Sequence, residues 1–170
     1  MKDMKLTVPY HEQKTEYTCG PASLKMVFSF LGTFKTEKKI AKHASTDNET
    51  GTRHQGMIDA ALHQKFYCYV NADSSVDEIR YFINLGLPVI IDYTEPSEDD
   101  GHYAVVSGYV DGIIILHDPW NGKNFKLEET ELIERWHDSH SGHKSCNQWM
   151  MVLSNEPFSL GKQYLPKNQE

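Results

Sequence analysis

A chain of 170 residues with 39% hydrophobic and 24% charged residues can build one domain with a real core, and its nine Tyr, seven Phe and three Trp argue against disorder. A formal net charge of -7 argues against nucleic acid as the main partner, because phosphate backbones demand concentrated lysine and arginine. Three cysteines are an odd number, so no disulfide framework is expected. No run approaches the roughly 20 apolar residues of a membrane helix, and the N-terminal residues lack the apolar stretch of a signal peptide. The expected compartment is the cytoplasm. A cleaved leader would leave the same sequence behind, and secretion is the alternative.

Leu6 to Tyr10 alternates around Pro9 and predicts a short edge strand. The polar loop 11–18 leads into Cys19-Gly-Pro-Ala-Ser. From there Ala22, Leu24, Val27, Phe28 and Leu31 recur at helical spacing as far as Gly32. Pro21 suits the first turn of that helix, where its missing N–H has no bond to lose. Cys19 therefore falls at or just before a helix N-terminus. Thr36 is the cap of a second helix running through Ala44, and the lysines of 35–42, interrupted by Glu37, read as its solvated face. Gln55 to Gln64 predicts a third helix and Phe66 to Val70 a strand. Ser75 opens a helix to Leu85, with Glu78 as its capping-box partner and Gly86 as its stop.

The second half is rich in β-branched and apolar residues. Leu87 to Tyr93, His102 to Val110 and Gly112 to His117 predict strands, the last two joined as a hairpin at Asp111-Gly112. Glu128 to Trp136 predicts a helix and Gln148 to Leu153 a closing strand. The sum is an α+β fold with helices gathered on one face of an antiparallel sheet. It is expected to be a single domain over 1–170, its core at about 5–153 and a tail over 154–170.

A cysteine attacks as thiolate, a form favoured by a helix N-terminus or a neighbouring imidazolium. Cys19 has the first of these from local sequence alone. His102 opens an apolar strand after Gly101, and Asp118 ends the hairpin partner before Pro119. With the turn at 111–112, both lie at one open end. There Asp118 can orient His102, and His102 can act as base for Cys19. Gln13, six residues before Cys19, can return beside it and form an oxyanion hole with the Cys19 N–H. His11 is a rival base in the same loop, without an obvious orienting acid. Cys68, inside Tyr67-Cys68-Tyr69-Val70, reads as an inert core thiol. His137, His140, His143 and Cys146 recur at every third residue, each a possible zinc ligand. Four ligands would have to converge from ten residues around Ser139, Ser141 and Gly142, so a solvated histidine-rich loop is expected instead of a metal site.

The stretch V-P-Y-H-E-Q-K-T-E-Y-T-C-G-P-A-S-L-K-M resembles the peptidase C39-like pattern: a Gln, five intervening residues, then Cys-Gly-Pro opening a helix. G-H-Y-A-V-V-S-G-Y and H-D-P-W resemble the histidine and aspartate blocks of that family, in the family's order. The similarity spans Val8 to about Trp120. It implies a papain-like fold and thiol peptidase chemistry without a cofactor, with Gln13, Cys19, His102 and Asp118 in the roles just given. The best-known members cut leader peptides after a double glycine while fused to an exporter. No exporter lies within these residues, so that substrate is not carried over. The expected function is a cysteine hydrolase that cleaves a peptide or related amide through an acyl-enzyme. Its alternatives are an acyltransferase or deamidase using the same triad, and a non-catalytic C39-like peptide-binding module.

Overall fold

Residues 89–91 and 103–106 are apolar or aromatic without polar alternation, and both stretches become strands buried on two faces. The computed structural model describes residues 3–137 and 146–159 and, as backbone only, 163–164. Its first half runs β1 (Met4–Lys5), α1 (Cys19–Phe30), α2 (Glu37–His43), α3 (His54–His63), β2 (Tyr67–Asn71) and α4 (Val76–Asn84). The second runs β3 (Val89–Thr94), β4 (Gly101–Val110), β5 (Ile113–Asp118), β6 (Gly122–Glu128), α5 (Glu129–Arg135), β7 (Met150–Ser154) and β8 (Gln163–Tyr164).

Among the described residues the strands form one antiparallel sheet in the order β6-β5-β4-β3-β7-β2-β8. β3 pairs with β4 over Gly101 to Val106, and β1 pairs with the part of β4 beyond, at Gly108 and Tyr109. That approach needs glycine, since a Cβ on Gly108 would stand 2.5 Å from the Met4 carbonyl oxygen. The fold class is the expected one, α+β with helices on an antiparallel sheet.

The helices do not share one face, as the sequence reading had them. α1, α2 and α3 bury Leu24, Val27, Phe28, Ile40 and Met57 against Ile90 and Val105. α4 and α5 bury Ile79, Phe82, Ile83 and Leu132 on the opposite face, against Val89, Ile91, Ala104 and Val106. The unbroken apolar runs of β3 and β4 need both layers, because their side chains alternate between the two cores. In the first core Phe28 stacks on Phe66 with centroids 5.2 Å apart. Truncating such a ring to alanine costs about 3–5 kcal/mol.

Three further expectations need correction. Leu6 to Tyr10 is not a strand: Leu6 N–H still reaches Ser107 O at 2.7 Å, and the chain then leaves the sheet edge. Ser75 does cap α4 by accepting from Glu78 N–H, but the Glu78 carboxylate does not return the bond. It is taken by the Tyr69 hydroxyl and the Asn71 amide. Finally, β6 had not been expected, and Gln163–Tyr164, in the expected tail, pairs with β2.

Candidate active site

α1 begins at Cys19, and its N-cap Thr18 gives the helix no side-chain bond. The Thr18 hydroxyl accepts instead from Thr15 N–H at 3.1 Å, which closes the preceding turn. The first N–H groups of α1 are thus left without a cap and favour negative charge at the Cys19 position. Gly20 lets this end of α1 pack closely: a Cβ there would lie 2.9 Å from Met57 Sδ and from Thr52 Cβ.

The β4–β5 hairpin turns at Asp111 and Gly112, both with positive φ (48° and 76°). Its opposite end therefore carries the start of β4 and the end of β5. His102 Nε2 lies 2.7 Å from Asp118 Oδ1 there, both groups buried. Tyr93, the register partner of His102 on β3, donates its hydroxyl to Asp118 Oδ2. The N–H groups of Trp120 and Asn121 both donate to Asp118 Oδ1 at 2.8 Å. Burial alone would push the Asp118 carboxyl up. The His102 bond and charge, with the Tyr93 hydroxyl and the Asn121 N–H, hold it below the usual carboxylate range.

His102 feels the mirror image of these effects. Burial disfavours its imidazolium, but the negative charge of Cys19, the Asp118 bond and a bond to the Cys19 side chain outweigh that and raise it to about 10. With Nε2 committed to Asp118, Nδ1 is the ring nitrogen left for the thiol. Cys19, His102 and Asp118 are thus brought together.

Gln13 arrives by a separate route. Three consecutive residues at the end of β5 each hold one residue of the N-terminal segment. His117 Nε2 donates to Val8 O at 2.9 Å, Asp118 O accepts from the Tyr10 hydroxyl at 2.9 Å, and Pro119 O accepts from Gln13 N–H at 3.0 Å. His117 is a structural histidine, kept neutral by burial, its Nδ1 accepting from Asn124 N–H. The Gln13 amide donates one hydrogen to Thr15 O at 2.8 Å, leaving the second unspent. Glu37 clamps the loop on both sides of Gln13. Its carboxylate accepts from Lys14 N–H at 3.3 Å and lies 2.7 Å from His11 Nε2. His11, the rival base, is therefore a loop clamp with Glu37 as its acid. Glu37 is only 3% exposed and turns inward, while Lys35, Lys38, Lys39 and Lys42 around it are exposed, as expected of a solvated face.

Cys19 and His102 open onto a cleft of about 620 Å³ whose other walls come from the 48–55 segment, Tyr17, Asp92 and Cys146. Gln13 is not among its lining residues. That cleft also holds a second pair that no sequence motif announces, His54 Nε2 and Asp92 Oδ2 at 2.7 Å. The two are 38 residues apart with no local motif linking them, so only the fold reveals the pair. Cys68 is fully buried and its thiol is pushed up to about 12 by burial, in keeping with an inert core thiol. Of the histidine-rich cluster, His140 and His143 lie outside the described residues, while His137 forms a β-bridge with Asn147 and Cys146 lines the cleft. Among the described residues no group of three or more His, Cys, Asp or Glu could hold a metal ion. Nor is any described helix long and apolar enough to cross a membrane.

An uncharacterized protein of Methanothermobacter marburgensis is 32% identical over 115 residues, covering 65% of this chain and 71% of the relative. The peptidase domain of Streptococcus ComA, a bifunctional ABC transporter involved in quorum sensing, matches in structure with a TM-score of 0.71 at 21% identity, covering 86% of this chain and 98% of that domain. A double glycine motif protease from an AMS/PCAT transporter, solved with its leader peptide, matches with a TM-score of 0.68 at 16% identity, covering 90% and 98%. At such identities these two likenesses establish the papain-like fold alone. The profile of the Peptidase_C39 like family matches residues 5–144, most of the chain, and the protein belongs to that family.

Proposed function

We propose that this protein is a single-domain cysteine hydrolase that cleaves a peptide or related amide bond through an acyl-enzyme. The observation that carries the reading is a thiol at an uncapped helix N-terminus, within hydrogen-bonding reach of a buried histidine that is itself locked to a buried aspartate. A structural role for His102 and Asp118 would not require an open cleft at the thiol.

In this reading Cys19 and His102 form a thiolate–imidazolium pair, and Asp118 holds the ring and stabilises its charge. The Sγ atom attacks the substrate carbonyl, and the oxygen becomes an oxyanion bonded by the Cys19 N–H and the second Gln13 amide hydrogen. His102 gives its proton to the leaving amine as the C–N bond breaks, and a thioester remains. Water then attacks the thioester, His102 takes the water's proton, and the acid leaves with Cys19 restored. The neighbour solved with its leader peptide supports a peptide as the substrate class. The retained Cys19, His102 and Asp118 favour hydrolysis over a binding module, which has no use for a reactive thiol.

The test is incubation with a proteome-derived peptide library and mass-spectrometric detection of new termini. Wild-type protein should generate them and Cys19→Ala should not. A reactive Cys19 that yields no new termini would shift the reading to acyl transfer or deamidation.

A further inference from the structure

The reaction just described makes no use of the second histidine–carboxylate pair in the cleft. His54 is the first residue of α3, with 25% of its side chain exposed, and its Nε2 contacts an aspartate only 2% exposed. Its ring lies flat on Trp149, centroids 4.1 Å apart and planes 7° from parallel, and meets the Tyr103 ring edge-on at 6.1 Å. Trp149 is itself 3% exposed. A side chain fixed on its face, its edge and one nitrogen has already lost its rotamer freedom, so a bond to a ligand costs little further ordering. With Nε2 spent on Asp92, Nδ1 is the ring's remaining hydrogen-bonding atom, and His54 lines the cleft. The two pairs start from adjacent register positions of β3 and β4, Asp92 opposite Tyr103 and Tyr93 opposite His102. Residue 54 and the thiol therefore serve one end of the sheet.

Resting on the cysteine-hydrolase reading, we propose that His54, held by Asp92 and Trp149, is a substrate-binding residue that hydrogen-bonds a main-chain peptide group of an extended peptide beside the scissile bond. A peptide group presents an N–H and a C=O side by side, so Nδ1 finds a partner whether it accepts or donates. The cleft, about 620 Å³, is large enough for several residues of peptide. Its described lining mixes Tyr17, Asn48, Thr50, Arg53, Gln55 and Asp100, which form neither an apolar pocket nor a patch of one charge. A main-chain contact supplies grip where no one kind of side chain is selected.

The test compares two alkylating reagents on the full chain, iodoacetamide and acetyl-Ala-Ala-Ala-chloromethyl ketone, each read as the rate of Cys19 modification by peptide mapping. In the wild type the tripeptide reagent should show saturation. The variant carrying both His54→Phe and Asp92→Leu keeps a flat ring on Trp149 and strands no buried carboxylate. Its half-saturating concentration should rise about tenfold, the scale of one lost hydrogen bond, with little change in the limiting rate. Asp92→Asn, which loosens the ring without removing it, should raise that concentration about threefold, a fraction of the same bond. Unchanged half-saturation in both variants would overturn the proposal. So would equal slowing with iodoacetamide, which would place His54 with the thiol and away from the substrate, or absence of saturation in the wild type. Failure of Cys19 to react with iodoacetamide at all would sink the hydrolase reading, and this inference with it.

Discussion

The two histidine–aspartate pairs of the cleft share a 2.7 Å contact from Nε2 to a carboxylate and differ in nearly everything around it. Asp118 is wholly enclosed and also receives the Tyr93 hydroxyl and two backbone N–H groups, while His102 is 6% exposed. Such surroundings stabilise charge: the carboxyl is held below its usual range and the imidazolium above. His54 has a stacking partner where His102 has hydrogen bonds, and a quarter of its side chain is open to the cleft. A ring that holds a proton beside a nucleophile needs the first environment. A ring that presents an edge to a ligand is served by the second.

The largest effect should come from removing the first ring. His102→Ala should lower peptide turnover by at least about a hundredfold, the usual contribution of a positioned base. The double variant Cys19→Ala with His102→Ala should be little worse than either single, because they act as one unit. Next comes Gln13, the proposed oxyanion donor. Gln13→Ala should reduce acylation by p-nitrophenyl acetate, relative to alkylation by iodoacetamide, about a hundredfold, since only acylation develops an oxyanion. An unchanged ratio would remove Gln13 from the site. Asp118→Asn keeps an acceptor for His102 but loses the charge, and should slow Cys19 alkylation about tenfold, less than the corresponding change in a serine protease. If Asp118→Asn and Asp92→Asn gave the same profile with both reagents, the contrast between the pairs would collapse. Tyr93→Phe removes one donor from Asp118 and should cost about 1 kcal/mol of stability in urea unfolding, with only a few-fold loss of activity.

The first pair should also leave a mark on stability against pH. The folded value of His102, about 10, lies above its ordinary 6.5, so its contribution is fully present below 6.5 and lost as pH rises through 10. Asp118 is depressed, and its contribution is lost as pH falls through the acid range. Unfolding free energy should therefore decline between pH 7 and 10, and His102→Ala should flatten that decline.

How much of this was legible in the sequence differs from residue to residue. Cys19 was readable because helix spacing and Pro21 are local signals. His102 and Asp118 were readable because one turn, Asp111-Gly112, places two strand ends together. The two-faced sheet was missed: the lack of alternation in 89–91 and 103–106 signals it, but the helix-first order suggested a single layer. β6 hid because its residues, Lys123, Asn124 and Lys126 among them, are those of a half-exposed edge strand without an apolar period. Glu37 hid among lysines, and nothing local says that one carboxylate of a charged helix turns inward to hold a loop. His54 and Asp92 could not have been paired without knowing that the first residue of α3 reaches β3.

The central claim is that His102 activates Cys19, and a time course of iodoacetamide labelling near neutral pH, mapped peptide by peptide in wild type and His102→Ala, tests it most directly. In the wild type Cys19 should be modified ahead of Cys68 and Cys146, and His102→Ala should slow it by at least about tenfold. Equal Cys19 rates in the two proteins, or a Cys19 that reacts no sooner than Cys68, would contradict the account.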